Sequence, residues 1–104
     1  MEPRLLEPIL KTAAKTGRIS FGVKETLKAI KGAKLIILSS SLTSHERKAI
    51  VDAAKSANVP IVTFDETSIR LGNISGKAFP IKSLAIRSAG DADIERLLKM
   101  AGAT

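Results

Sequence analysis

Basic side chains are concentrated in one segment of the sequence, from Lys11 to Lys34. The segment holds seven lysine and arginine residues and one acid, Glu25, so it carries six of the seven net positive charges of the 104-residue chain. Clustered Lys and Arg gain affinity for polyanions because they release counterions condensed on phosphates. This distribution favours a nucleic-acid partner over a surface that is basic only for solubility.

Two glycines in the segment have the spacing of a phosphate-binding P-loop. Gly17 and Gly22 are five residues apart and Lys24 follows closely. The motif requires Lys directly after the second Gly and then Ser or Thr, but here Val23 intervenes and Glu25 follows the lysine. A P-loop also follows a strand, whereas this stretch follows a predicted helix. A nucleotide-processing enzyme is therefore the least favoured alternative.

Other catalytic and metal-binding constellations are poorly supported. His45 is the single histidine and the chain has no cysteine, which excludes His-based triads, zinc fingers and thiol catalysis. Asp91, Asp93 and Glu95 resemble a cation site loosely, but carboxylates in the first turn of a helix are expected from the helix dipole alone. The sequence predicts a non-catalytic protein without a cofactor or metal, with His45 at the surface.

Two places could contact RNA directly. Gly22 allows close approach of the backbone to a partner, and Lys24 and Lys28 stand one helical turn apart beside it. Phe79 lies in "SGKAFPIK", between a glycine-bearing loop and a strand, close to Lys77. An aromatic ring beside basic side chains can stack on an unpaired base, although a core position remains open for Phe79.

The elements that position these residues alternate along the chain. The predicted helices are "RLLEPILKTAAKTG", "VKETLKAIK", "ERKAIVDAAKSA" opened by a "TSHE" capping box, a short helix at Ser68 to Leu71, and "IERLLKM" capped by Asp91 or Asp93. The predicted strands are "RIS", "KLIILS", "VPIVTF" and "FPIKSLAIR". This order predicts an α/β protein, a three-layer α/β/α sandwich with a single mixed sheet of about four strands.

Helix two is predicted to have two distinct faces. Val23, Leu27 and Ile30 share one apolar stripe that we expect to face the core, while Lys24, Lys28 and Lys31 share a neighbouring basic stripe. Phe21 and Phe64 lie in more apolar surroundings than Phe79 and are predicted to be core residues.

Chain length and hydropathy predict one soluble domain. A chain of 104 residues supports one core, so residues 1–104 are predicted to form a single domain. No apolar run approaches the roughly 20 residues of a membrane-spanning helix. The start "MEPRLLEPILK" has acids and prolines where a signal peptide has a basic start and an apolar core. We expect an intracellular protein without a membrane partner.

Several stretches together resemble a known family. "GRISFGVKETLKAIKGAKLIILSSS", "VPIVTF", "LGNISGKAF" and "SLAIRSAGDADI" are similar, over about residues 5 to 95, to the L thirty-e family of archaeal and eukaryotic large-subunit ribosomal proteins, in the kink-turn RNA-binding superfamily. The seven-Ae branch of that superfamily usually has Asn then Glu where this chain has Lys24 then Glu25, which favours the thirty-e branch.

The resemblance implies a function and a set of partners. It implies a non-catalytic component of the large ribosomal subunit that recognises a kink-turn in ribosomal RNA, lies beside other large-subunit proteins in the cytoplasm, and is monomeric when free. A kink-turn adaptor in a guide-RNA particle, in RNase P or in messenger RNA regulation remains the alternative.

The resemblance also implies which residues contact RNA. The glycine turn, the start of helix two and the aromatic loop map onto this chain, and the loop after "LIIL" has Ser39 to Ser41 where family members often have Asn. A serine still bonds phosphate or sugar, but with a shorter reach. The candidate RNA-binding residues are Gly22, Val23, Lys24, Glu25, Thr26, Lys28, Ser40, Ser41, Lys77, Phe79 and Ile81.

Overall fold

Four helices alternate with four strands in the part of the chain that the computed structural model describes, which is residues 3–88 with Gly90 and Glu95. The elements are α1 (Pro3–Thr16), β1 (Arg18–Phe21), α2 (Val23–Ala29), β2 (Leu35–Leu38), α3 (Ser44–Ala57), β3 (Ile61–Thr63), α4 (Ser68–Ile74) and β4 (Ser83–Ser88). The predicted order is confirmed. The predicted final helix and its cap lie, apart from Glu95, outside the described residues.

The four strands form one mixed sheet in the order β1-β4-β2-β3. Strand β4 is antiparallel to both of its neighbours, β1 and β2, while β2 and β3 run parallel. The parallel pair follows from α3, because two parallel strands need a crossover connection. The predicted single mixed sheet of four strands is confirmed.

Helices cover both faces of this sheet, because successive strand side chains point to opposite sides. On one face, Leu35 and Ile37 of β2 join the apolar residues of α1 and α4, including Leu10 and Leu71. On the other face, Ile36 and Leu38 join α2 and α3 around the small residues Ala29, Ala54 and Ala85. The predicted α/β/α layering is confirmed.

The buried face of α2 differs from the predicted one. Leu27, expected in the core, is 38% exposed, whereas Thr26, Ala29 and Ile30 are buried. Thr26 can be buried because its hydroxyl shares a hydrogen bond of 3.0 Å with the hydroxyl of Ser83, 57 positions away in sequence. The predicted core stripe was therefore wrong at Leu27, while all three lysines of the basic stripe are exposed as predicted.

The start of the last strand also differs. The strand was predicted to begin at Phe79, but β4 begins at Ser83. The backbone N–H of Ile81 donates to the Ser68 carbonyl at 2.8 Å, so it makes its hydrogen bond to α4 and not to a strand. Residues 79–82 are therefore a loop, and α4 is longer than predicted because it continues to Ile74.

The capping box of α3 is confirmed in full. The Thr43 hydroxyl accepts from the Glu46 backbone N–H at 3.1 Å, and the Glu46 carboxylate accepts from the Thr43 N–H at 2.9 Å. His45, in the same turn, is exposed as predicted. Among the described residues, none of the helices combines the length and apolar character of a membrane-spanning segment.

Candidate nucleic-acid interface

Three segments that carry candidate residues meet at one edge of the sheet, which we call the loop edge. They are the turn at Gly22, the serine loop Ser39–Ser41 and the aromatic loop 77–81. The carboxyl ends of β1 and β2 lie beside the amino end of the antiparallel β4. Accordingly, the Gly22 N–H donates to the Ser83 carbonyl at 2.8 Å, and the Ser39 N–H donates to the Lys82 carbonyl at 2.9 Å.

Gly22 has a backbone conformation that is essentially restricted to glycine. Its φ of 103° and ψ of 160° lie in a region where a side chain costs of order 1 to 3 kcal/mol. No atom lies within 4 Å of the place that a Cβ would occupy. The residue thus makes a sharp turn into α2 and leaves open space at its surface.

The lysines that follow Gly22 are fully available to solvent. Lys24 and Lys28 are exposed, and the Lys28 ammonium lies 4.0 Å from the Glu25 carboxylate, with both side chains more than half exposed. An exposed pair at this distance contributes little stability. Val23 is half-buried against the α2 and α3 side of the core. Lys24, Glu25 and Lys28 therefore form the accessible part of the α2 candidates, and Thr26 does not.

Phe79 is 52% exposed, so the open alternative of a core position does not hold. Its backbone, in contrast, is fixed. A methyl group at position 72 would overlap the Phe79 carbonyl oxygen, so the loop lies directly against the backbone of α4 at Gly72. Ile81 is buried and its N–H is bonded to Ser68. The aromatic loop presents one exposed ring on an anchored backbone, and Ile81 serves as an anchor and not as a surface residue.

The serine loop is bonded to the residue before β4 and to the segment where α4 begins. The Ser39 hydroxyl donates to the Lys82 carbonyl at 2.7 Å, and the Ser41 hydroxyl accepts from the Ser68 N–H at 2.9 Å. The exposed Ser40 donates its backbone N–H to the Glu66 carbonyl at 2.9 Å. Of the two candidates in this loop, Ser40 is at the surface, while the Ser41 hydroxyl already holds the start of α4.

Lys77, the first residue of the aromatic loop, lies over the ring of Phe21. Its ammonium is 5.0 Å from the centroid of Phe21, a distance at which a cation is attracted to the face of an aromatic ring. Phe21, predicted to be core, is half-buried and packs against the core, whereas Phe64 is fully buried. Strand β1 separates Gly17 from Gly22, so these glycines do not form one phosphate-binding loop.

An ion pair supports the serine loop from the side of α3. The Lys82 ammonium lies 3.3 and 3.4 Å from the two Glu46 carboxylate oxygens. The pKa of Glu46 is held below its ordinary value of 4.5, chiefly by the backbone hydrogen bond from Thr43 and further by Lys82, while partial desolvation opposes the shift. Glu46 therefore stays ionised and links the α3 cap to the beginning of β4.

Gly72 and Ser68 are the positions that the sequence reasoning missed. Both lie in α4, and both hold the aromatic loop in place through backbone contacts. An isolated glycine within a helical pattern indicates close approach of another backbone segment, so Gly72 in "LGNISGKAF" carried a usable signal. Ser68 carried none, because its partners, Ser41 and Ile81, are distant in sequence.

The sequence of the chain matches a known family model. Residues 5–96 match the model of the Ribosomal protein L7Ae/L30e/S12e/Gadd45 family, which covers all three segments of the loop edge. The chain belongs to this family.

Individual members of the L7Ae/L30e/S12e/Gadd45 family are similar to this chain over most of their length. The large ribosomal subunit protein eL30 of Saccharolobus solfataricus is 34% identical over 86% of this chain and 85% of its own length. The eL30 proteins of Methanothermobacter thermautotrophicus and Pyrobaculum calidifontis are 32% and 36% identical, over 89% and 88% of this chain and 94% and 93% of their own lengths. The predicted family resemblance is confirmed.

Proposed function

We propose that this chain is a non-catalytic RNA-binding component of the large ribosomal subunit, and that it recognises a kink-turn in ribosomal RNA. The proposal is supported by its family membership and by the eL30 relatives, which are named as large-subunit proteins. It includes a cytoplasmic location on the ribosome, a single RNA-binding domain that is monomeric when free, and neighbouring large-subunit proteins as further partners.

One observation carries the RNA-binding part of this proposal. The exposed Phe79 ring lies on an anchored backbone at the same edge of the sheet as the open Gly22 turn and its lysines. Proteins recognise RNA mainly through bends, bulges and unstacked bases, which aromatic rings stack upon. The loop edge combines a stacking surface, a site of close backbone approach and cations for phosphates.

The roles of the individual residues follow from this arrangement. Phe79 stacks on an unpaired base at the bend, Gly22 admits the RNA backbone, and Lys24 and Lys28 bind phosphates. Ser40 donates a hydroxyl hydrogen bond to phosphate or sugar. Phosphate contacts fix the orientation of the RNA without reading sequence, so shape supplies most of the specificity.

The test compares a kink-turn RNA with a control of matched length in which compensating base changes make the helix continuous. We expect the purified protein to bind the kink-turn at least tenfold more tightly at equal salt, about 1.4 kcal/mol or more. Equal affinity for both RNAs would contradict kink-turn recognition. Sequencing RNA crosslinked to the protein in cells, with co-sedimentation on large subunits, then separates the ribosomal role from an adaptor role in another particle.

A further inference from the structure

A second concentration of positive charge lies on the α1 side of the sheet, where it adjoins the loop edge at Lys77. Two clefts of about 390 and 440 Å³ adjoin each other there, because both are lined by Ala14 and Lys77. Lys15 lines one cleft, and Arg18 and Arg87 line the other. We call these two adjoining clefts the basic clefts.

Charge in the basic clefts is largely uncompensated. No acidic side chain lines either cleft among the residues that the structure describes. Within the same residues, Lys11 at the outer rim is paired with Glu7 at 3.2 Å, while Lys15, Arg18 and Arg87 are exposed and have no ion-pair partner. Unpaired cations that line a concave surface focus a positive potential, which attracts an anionic partner.

The arginines of the basic clefts lie away from the Gly22 turn, although Lys77 of the aromatic loop lines both clefts. Arg18 pairs with Ser88 at one end of the β1 and β4 ladder, and Phe21 pairs with Leu84 at the other end, next to Gly22. Gly22 lies four positions after Arg18 along the chain, a distance of about 13 Å at roughly 3.3 Å per residue. A partner held by Arg18 and Arg87 therefore contacts a different part of the molecule from one at Gly22.

We propose that the basic clefts bind the phosphate backbone of a second, helical RNA segment. This inference rests on the proposed RNA-binding function and adds a second contact to it. A single strand would need exposed rings for stacking, but Phe21, the aromatic residue of the clefts, is half-buried with Lys77 over its ring. The guanidinium groups of Arg18 and Arg87 suit phosphate oxygens, which they bind by paired hydrogen bonds.

Duplex RNA is favoured over an acidic protein segment by the lining of the clefts. A peptide partner is normally held by an apolar pocket at the centre of the interface. The exposed lining here consists mainly of lysine, arginine, serine, threonine and small residues. Such a surface provides sequence-independent phosphate binding, which depends strongly on salt.

The test uses a plain RNA duplex of about 16 base pairs and a short-armed kink-turn RNA, each titrated with the full chain at several salt concentrations. The variant is Arg18→Gln with Arg87→Gln. Its charge-matched control is Lys48→Gln with Lys55→Gln, two exposed positions on α3. Thermal unfolding of each variant establishes that it is folded.

We expect the arginine variant to bind the duplex more weakly than the wild type. The magnitude of the slope of log affinity against log salt should fall by about 1 to 2 in this variant, while the control keeps the wild-type slope. Binding of the short-armed kink-turn should be unchanged. If the arginine variant folds poorly, Lys11→Gln with Lys15→Gln on the exposed side of α1 tests the same clefts.

Two results would overturn the inference. The first is an equal duplex slope for the arginine variant and the control, which would make the clefts a solvated surface. The second is an equal loss of kink-turn and duplex binding, which would make them part of one continuous site. Failure of the proposed function would give a different result. In that case the wild-type protein would bind the kink-turn RNA and its straight control with equal affinity.

Discussion

The aromatic loop and the amino end of α2 lie at the same edge of the sheet, but they are held in opposite ways. The backbone around Phe79 is fixed by the contact with Gly72 and by the bond from Ile81 to Ser68. The charges of α2 instead lie at the ends of the long, exposed side chains of Lys24 and Lys28. One half of the candidate site offers a fixed shape and the other offers adjustable charge.

This difference predicts two separable contributions to RNA binding. Stacking on a ring whose backbone is fixed depends on position and little on ionic strength, whereas phosphate contacts release counterions and weaken as salt rises. Substitutions in the aromatic loop should therefore change affinity at all salt concentrations by a similar factor. Substitutions in α2 should change the salt dependence itself.

Gly72→Ala should have the largest effect, because it displaces the aromatic loop, which is the part of the candidate site with a fixed backbone. The added methyl group overlaps the Phe79 carbonyl, so α4 and the loop must move apart, at a cost of about 1 to 3 kcal/mol in the free energy of unfolding. Affinity for the kink-turn should fall as well. Denaturant unfolding and RNA titration measure the two effects, with Asn73→Ala, an exposed neighbour in the same helix, as control.

A double-mutant cycle shows whether Gly72 acts through Phe79. If it does, Gly72→Ala should reduce affinity in the wild-type background and have little further effect in a Phe79→Ala background, since residues that act as a unit are not additive. Additive losses of affinity would indicate that Gly72 affects binding by another route.

Phe79→Ala should remove the stacking contribution and leave the fold nearly unchanged. We expect a loss of about 1 to 3 kcal/mol in RNA affinity and a near-normal melting temperature, because the ring is half exposed. The matched control is Phe64→Ala, in the core, which should cost about 3 to 5 kcal/mol of stability. A large loss of stability for Phe79→Ala, with affinity preserved in the folded fraction, would contradict the stacking role.

The double variant Lys24→Ala with Lys28→Ala tests the contribution of the exposed α2 lysines to RNA binding. This double variant should lower the salt slope of kink-turn binding by about 1 to 2, since each lost phosphate contact removes slightly less than one unit of slope. Stability should change little, because both side chains are exposed. The control Lys48→Ala with Lys55→Ala changes the net charge equally on α3. A wild-type slope in the α2 variant would mean that its lysines are only solvated.

Glu46→Gln should have the smallest effect, and it concerns pH. Because the folded state lowers the pKa of Glu46, ionisation contributes stability above the ordinary pKa of 4.5, and this contribution is lost as the pH falls through the lowered value. Glutamine keeps the capping hydrogen bond but not the charge beside Lys82. The stability difference between wild type and variant should be present at pH 7 and should disappear at strongly acidic pH in parallel unfolding curves.

Local sequence signals predicted the parts of the molecule that depend on neighbours in sequence. The "TSHE" box, the alternating elements and the exposed lysine stripe of α2 all follow from spacing alone. The prediction that Leu27 is buried failed because Thr26 has a partner, Ser83, that is distant in the chain. Strand β4 was predicted too long because the bond from Ile81 to Ser68 is also non-local.

Predictions for the candidate site show the same contrast between local and non-local contacts. The glycine before helix two and the lysine stripe correctly indicated Gly22 as an open turn and Lys24 and Lys28 as an exposed helix face. The resemblance pointed to Ser41 and Thr26 as contacts, but sequence alone does not reveal that these hydroxyls already bond within the protein. RNA contact by the exposed candidates stays a prediction.

The position of β4 in the sheet determines when the loop edge can form during synthesis. Although β4 is the last of the four described strands in sequence, it lies between β1 and β2, and its first residue and the residue before it bond Gly22 and Ser39. Non-local pairings of this kind form late, after the intervening chain has been ordered. A nascent chain that ends before residue 83 contains the residues of β1, β2 and β3 but lacks the strand that joins β1 to β2. The loop edge can therefore form only after the chain has been translated into β4, beyond Ser83.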